Sequence, residues 1–277
     1  MKFFLKGYLH PKNLIGLKLM ILEGMDVDFQ YNTDIRYDWL IVTDKFIVPN
    51  FLNYSNILFG PHLMPQHINT KIHFLSNMYF NCLSEWNKNF HQNLRPNIKH
   101  VAVPFPVDIE KFKPKSKTGR PVIYIKRRDP DILYEIIEKL GNYFIVFSYE
   151  HKYQEKDFLS YIEEAPFAIW LGCHESQGFA FEETLSCNTP IFVIDTQSII
   201  DNTETGVWDQ LPESHTIKVT AASYFDNTCG MITSKNQWQN DISFFLNNIQ
   251  HYIPREFVIK NLSPKACLEK WHNIEKQ

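Results

Sequence analysis

The chain has 277 residues, 44% of them hydrophobic and 15% aromatic, enough to bury a core in one large domain or two of ordinary size. A formal net charge of -3 removes nucleic acid as the main partner, because phosphate backbones are gripped by concentrated Lys and Arg. No run of about 18 apolar residues occurs, so no membrane-spanning helix is expected.

In chain order, Met1 to Gly7 is broken by charge too early for a secretory leader and reads as a short buried strand from Lys2 to Leu5. Further strands are expected over Trp39 to Val42, Asn56 to Phe59, Ile72 to Leu75 and His100 to Val103, with helices at Leu14 to Glu23 and Glu85 to His91. The stretch Pro104 to Pro114 carries prolines at 104, 106 and 114, which neither a regular helix nor a central strand accepts, so it reads as a linker. A second series follows. Strands are expected at Val122 to Ile125, Tyr143 to Phe147, Phe167 to Leu171 and Ile191 to Ile194. Helices are expected at Asp131 to Leu140, Lys156 to Glu164, Phe179 to Cys187, Asn236 to Asn248 and Pro264 to Glu275. Alternating strands and helices imply parallel sheets covered by helices. Trp39, Trp170 and Trp238 go to the core. The five cysteines, Cys82, Cys173, Cys187, Cys229 and Cys267, form no CxxC or zinc spacing and read as reduced, mostly buried thiols of a cytosolic protein.

The stretch Cys173 to Pro190 is the richest in chemistry. It follows a strand, turns at Gly178, enters a helix and stops at Asn188 and Pro190. Ligands of open parallel sheets bind at the C-terminal strand ends, where the N–H groups and dipole of the next helix favour phosphate. Gly178 lets the backbone approach a ligand closely. Glu175 lies in the turn and Glu183 about two helical turns on, so two carboxylates face sugar or ribose hydroxyls at the two ends of an elongated ligand. Glu182 is out of register and reads as a solvated carboxylate, His174 as a turn residue.

These residues resemble the Glu-x7-Glu signature of retaining GT-B glycosyltransferases, the family 4-like, group 1 type. Glu175, Gly178, Glu183, Thr189 and Pro190 are in register; Gln177 stands for a usual aromatic and Asn188 for a usual glycine, which suits Asn's tolerance of the left-handed cap. Val103 to Pro114 is similar to the same family's linker, with Pro106 in place of a glycine. Compact glycosyltransferases of large DNA viruses and phages are also similar.

The resemblance implies an α/β fold, GT-B-like, with two Rossmann-like parallel-sheet domains facing across a cleft and a C-terminal helical tail. Residues 1–105 would form the acceptor-side domain and 106–255 the donor-binding domain. Residues 256–277 would form a helix packing back on the first. It implies that Glu175 faces the transferred sugar, that the Gly178-Phe179 backbone lies near sugar or diphosphate, and that Glu183 binds the ribose. In the basic run Lys126-Arg127-Arg128, Arg127 falls where the family's Arg neutralises the diphosphate, with Lys126 beside it. The family's downstream Lys is Ile132 here. Cations here would stabilise the leaving nucleoside diphosphate, the role a metal plays in other glycosyltransferases, so no metal, and no cofactor beyond the nucleotide sugar, is expected. His62, in Phe59-Gly60-Pro61-His62, is a candidate hydrogen-bonding or basic group, and Gly7, after the first strand, a candidate for close passage of donor or acceptor.

The expected activity is transfer of a sugar from a nucleoside diphosphate sugar, a UDP-sugar first, to a hydroxyl of a glycan or glycoconjugate, in the cytoplasm (the host's, for a viral chain). Rival readings are a non-catalytic sugar or nucleotide-binding module and a sugar-nucleotide epimerase of the same shape. The oligomeric state is not legible in the sequence.

Overall fold

The computed structural model describes residues 1–44, 53–61, 75–201 and 215–276. The chain divides into two compact units, Met1–Pro106 with Pro264–Gln277, and Val107–Ser263.

The first unit is built on a six-stranded parallel sheet of β1 (Lys2–Lys6), β2 (Asp26–Asp28), β3 (Tyr37–Val42), β4 (Tyr54–Phe59), β5 (Met78–Asn81) and β6 (Lys99–Val101). The order is β2-β1-β3-β4-β5-β6. In β3 every residue but Asp38 is buried, the near-continuous apolar pattern of a strand covered on both faces. The expected strand at Ile72 to Leu75 lies outside the described residues except for Leu75, which is not in a strand. Strand β5, which the sequence reading did not place, pairs with β4 through Met78, Tyr79 and Phe80.

Helix α1 (Pro11–Leu22) starts on a proline with the fixed φ that a first turn needs, and His10 Nδ1 accepts the Lys12 N–H at 3.3 Å. Gly16 of α1 lets the segment before Val107 approach: a Cβ there would stand 2.9 Å from Phe105 Cβ. Helix α2 (Glu85–Leu94) precedes β6.

Residues 256–277 were expected as one helix, but they hold the end of α7 (Pro254–Leu262) and all of α8 (Pro264–His272). Pro264 cannot donate to a continuing helix and biases Ser263 to its extended φ, ψ of -64° and 159°. Helix α8 belongs to the first unit. Its Trp271, 1% exposed, donates Nε1 to the Pro104 carbonyl at 2.9 Å and packs edge-on against Phe3 and Phe105. Residues Pro104 to Phe112 are mostly buried, so this proline-rich stretch is packed chain.

The second unit carries a five-stranded parallel sheet of β7 (Val122–Ile125), β8 (Ile145–Ser148), β9 (Ala168–Leu171), β10 (Ile191–Ile194) and β11 (Gly230–Thr233), in the order β11-β10-β9-β7-β8. The period of two in its strands sorts the side chains. Ile123, Ile125, Ile169, Leu171, Phe192 and Ile194 form one core with α3 (Pro130–Leu140) and α6 (Trp238–Asn247). Of the residues between them, Tyr124 stacks on Trp170 at 4.1 Å, and Trp170 meets Phe181 of α5 (Phe179–Ser186) edge-on. Phe158 of α4 (Glu155–Ile162) closes that side against Tyr124. Trp39, Trp170 and Trp238 are core residues, and all five cysteines are buried thiols in no disulfide. No helix among the described residues is long and apolar enough to cross a membrane.

Candidate functional site

In the second unit the chain enters the sheet at β7, runs outward to β8, then crosses to β9 on the other side. The β7/β9 boundary is therefore a topological switch point, where the loops leaving the two strands diverge and leave a crevice at their C-terminal ends. The loop after β7 carries Lys126, Arg127 and Arg128, and the loop after β9 carries Cys173 to Gly178.

These loops meet through an ion pair between Lys126 Nζ and Glu175 Oε1, whose side chains are 14% and 25% exposed. Burial acts to lower the Lys126 pKa, but the Glu175 carboxylate, with Cys173 and Tyr149, outweighs it and holds the ammonium above its usual range. Lys126 stays charged at any physiological pH. The Cys173 thiol is pushed up to about 12, by burial first and then by Glu175, so it is a neutral packing group and no nucleophile.

The Glu175 backbone is held by the irregular chain that precedes β11. Its N–H donates to the Thr220 carbonyl at 3.2 Å and its carbonyl accepts from the Ser223 hydroxyl. Asp195, just after β10, accepts from the Thr220 hydroxyl at 2.7 Å and the Ala221 N–H at 2.8 Å. Gly178 caps α5 at φ 88°, ψ 60°, in the left-handed region. A Cβ there would make only ordinary contact, 3.4 Å from Glu175 Cβ, so the backbone angle is what calls for glycine. Phe179 opens α5, and its N-cap, Gly178, has no side chain to satisfy the first-turn N–H groups.

Glu183 lies a little over one turn into α5, nearer than the two turns expected, and is 4% exposed. Glu182 is 0% exposed, which corrects its reading as a solvated carboxylate; its Oε2 accepts from Gln177 Nε2 at 3.0 Å, clamping the turn onto the helix. At the far end of α5, Asn188 adopts φ 53°, the left-handed cap, and Arg255 donates to the Ser186 carbonyl at 2.7 Å.

The basic run divides its labour. Arg127 sits at φ 49° and its N–H donates to Glu150 Oε1 at 2.7 Å. Arg128 is buried, giving NH1 to the Gly172 and Ile194 carbonyls at 3.0 and 3.1 Å, so it ties the ends of β7, β9 and β10 together. Ile132, where the family has lysine, is core. A cavity of about 730 Å³ opens toward β10 and β11 beside Arg128, Asp195, Ser198 and Lys235. Arg128, its buried cation, is committed to those carbonyls, and Lys235 there pairs with Asp129 at 3.1 Å.

Gly7, after β1, has φ 112°, and a Cβ there would stand 2.3 Å from Asp44 Oδ1 and 2.4 Å from Thr43 Oγ1. It closes the switch-point loops of the first unit on each other. His62 lies outside the described residues. Among the described residues no three His, Cys, Asp or Glu side chains cluster to hold a metal ion. Sequence reasoning missed Tyr149 and Glu150 after β8, Asp195, and the Thr220–Ser223 support; the position of the first two at a parallel strand end was the available signal.

No family model matches the chain, and no curated protein matches its sequence. Solved structures do match in fold. A TarM variant of S. aureus, solved with fondaparinux, alpha-GlcNAc-glycerol and UDP, superposes with TM-score 0.54 at 15% identity over 86% of this chain; the chain spans 55% of that protein. The lipopolysaccharide outer core galactosyltransferase WaaB, in apo form, matches with TM-score 0.54 at 12% identity over 100% of this chain and 99% of its own. Sucrose-phosphate synthase from Thermosynechococcus elongatus matches with TM-score 0.52 at 12% identity, over 87% of this chain and 73% of its own. The fold of this chain is that of GT-B glycosyltransferases: two parallel-sheet α/β units with covering helices.

Proposed function

We propose that the chain is a glycosyltransferase of the Glu-x7-Glu type, akin to family 4 and to its compact viral and phage members. It moves a sugar from a nucleoside diphosphate sugar to a hydroxyl of a glycan or glycoconjugate. The carrying observation is the Lys126–Glu175 pair at the β7/β9 switch point, beside the uncapped start of α5. A fixed ammonium, helix N–H groups and a carboxylate suit a ligand with a diphosphate at one place and hydroxyls at the next.

In this reading the second unit is the donor side and the first the acceptor side. Glu175 holds the transferred sugar, Glu183 the ribose, and the Gly178-Phe179 backbone lies along the diphosphate. A bond forms from the acceptor oxygen to the anomeric carbon, the bond to the diphosphate oxygen breaks with its electron pair leaving on the diphosphate, and the acceptor's proton passes to that departing oxygen. Lys126 and Arg127 stabilise the charge that develops on the leaving diphosphate, the task a metal performs elsewhere, so the reaction is metal-independent. Retention of anomeric configuration goes with the Glu-x7-Glu resemblance. UDP is the first candidate nucleotide, supported by its presence in the TarM structure, and the cytoplasm is the proposed place of work.

Thermal unfolding with UDP, GDP and their sugars, each with and without EDTA, tests this on wild type and Glu183→Ala. One nucleotide should raise Tm in both buffers and lose that effect in the variant, since ligand binding to the folded state stabilises it by mass action. No stabilisation by any nucleotide would sink the donor-site reading.

A further inference from the structure

The cations of the switch point adjoin a side chain that the core does not use. Tyr149 follows β8, the edge strand beside β7, and is 46% exposed. Lys126 Nζ lies 4.5 Å from its ring centroid and Arg127 Cζ 5.8 Å. Of the other exposed tyrosines, Tyr134 and Tyr161 lie on α3 and α4, Tyr143 precedes β8, and Tyr8 follows β1 in the first unit, so in the second unit none of these follows a strand.

The loop holding Tyr149 is fastened to the cationic one. Tyr149 N–H donates to the Ile125 carbonyl at 3.0 Å. Glu150 accepts the Arg127 N–H at 2.7 Å through one oxygen and the Ser148 hydroxyl at 2.8 Å through the other. The ring is thus placed relative to Lys126 and Arg127 by backbone anchors, which is what a preformed binding platform requires.

We propose that Tyr149 is the nucleobase platform of this site. This rests on the donor-site reading above and deepens it. The base stacks on the exposed part of the ring, the diphosphate lies along Lys126 and Arg127, and the sugar reaches Glu175. Base, diphosphate and sugar then follow β8, β7 and β9, three neighbouring strands. An elongated ligand lies across their C-terminal ends. Every base has a π-face, so the ring contributes affinity without choosing the base.

Calorimetric titration of UDP, GDP and inorganic pyrophosphate into wild type, Tyr149→Ala and Tyr149→Phe tests the assignment, with circular dichroism to verify folding. Tyr149→Ala should weaken the nucleotide roughly five- to 150-fold, leave pyrophosphate within about twofold, and Tyr149→Phe should bind like wild type. Unchanged nucleotide affinity in Tyr149→Ala would overturn the platform. So would an equal loss for nucleotide and pyrophosphate, which would make the ring a rest for Lys126. A wild type that binds no nucleotide overturns the donor-site reading itself, and its own titration shows that separately.

Discussion

The two units share a topology and differ in what they place at the same point of it. Each sheet has its first two strands reversed and the rest in order, and each therefore has a switch point between its first and third strands. In the first unit the loops there carry Gly7, Thr43 and Asp44, packed so closely that a single Cβ on Gly7 would strike both neighbours. In the second they carry a paired ammonium and carboxylate beside an uncapped helix start. The topology provides a crevice; the side chains decide whether it is closed by packing or equipped with charge.

Gly7→Ala should break the packed side of that comparison. A positive φ of 112° and the contacts with Asp44 and buried Thr43 predict a loss of roughly 2–3 kcal/mol. Denaturant unfolding reads the loss, and nucleotide binding by the second unit should persist in the folded fraction. Nucleotide binding lost with no change in stability would assign Gly7 to the ligand instead.

A smaller effect separates the units by pH. His91 and His100 stack in the first unit, centroids 6.1 Å apart. Burial, then His100, lowers the His91 pKa to about 3. Burial again comes first in lowering His100 to about 4, with Lys88 also lowering it and a backbone bond with Ile98 opposing. The unfolded chain takes up protons below about pH 6.5 that the folded chain refuses, so stability falls as the pH drops from there toward 4. The slope is up to about 1.4 kcal/mol per pH unit for each histidine. Denaturation midpoints of His91→Leu should vary less steeply between pH 7 and 5, and a slope equal to wild type would remove His91 from the account.

Much of this was legible in the sequence where one local signal sufficed. The strands β7 and β10 are unbroken apolar runs, and their limits were read to the residue. Asn188 was expected to accept a left-handed cap and does, at φ 53°. Three strands were not legible because their signals are weak or depend on neighbours. β2 is three residues, two of them aspartates, and joins the sheet by pairing with β1. β5, at Met78–Asn81, has its apolar residues mixed with polar ones and joins the sheet by pairing with β4 and β6. β11 opens on Gly230, where a Cβ would stand 2.1 Å from the Ile191 carbonyl oxygen, a constraint visible only once β10 is beside it. The burial of Glu182 depends on Gln177 reaching back to it, and the role of Arg128 on carbonyls of two distant strands. Such partnerships are made by the fold, and no spacing along the chain announces them.

The central claim is that the charged crevice of the second unit holds a nucleoside diphosphate without help from a metal. Titrating UDP and GDP into wild type and Lys126→Ala in EDTA tests it most directly. The account predicts that wild type binds one of them and that the variant binds it at least about tenfold more weakly, the loss of one charge-assisted phosphate contact. Binding that needs a divalent cation, or that is unchanged by Lys126→Ala, would contradict it.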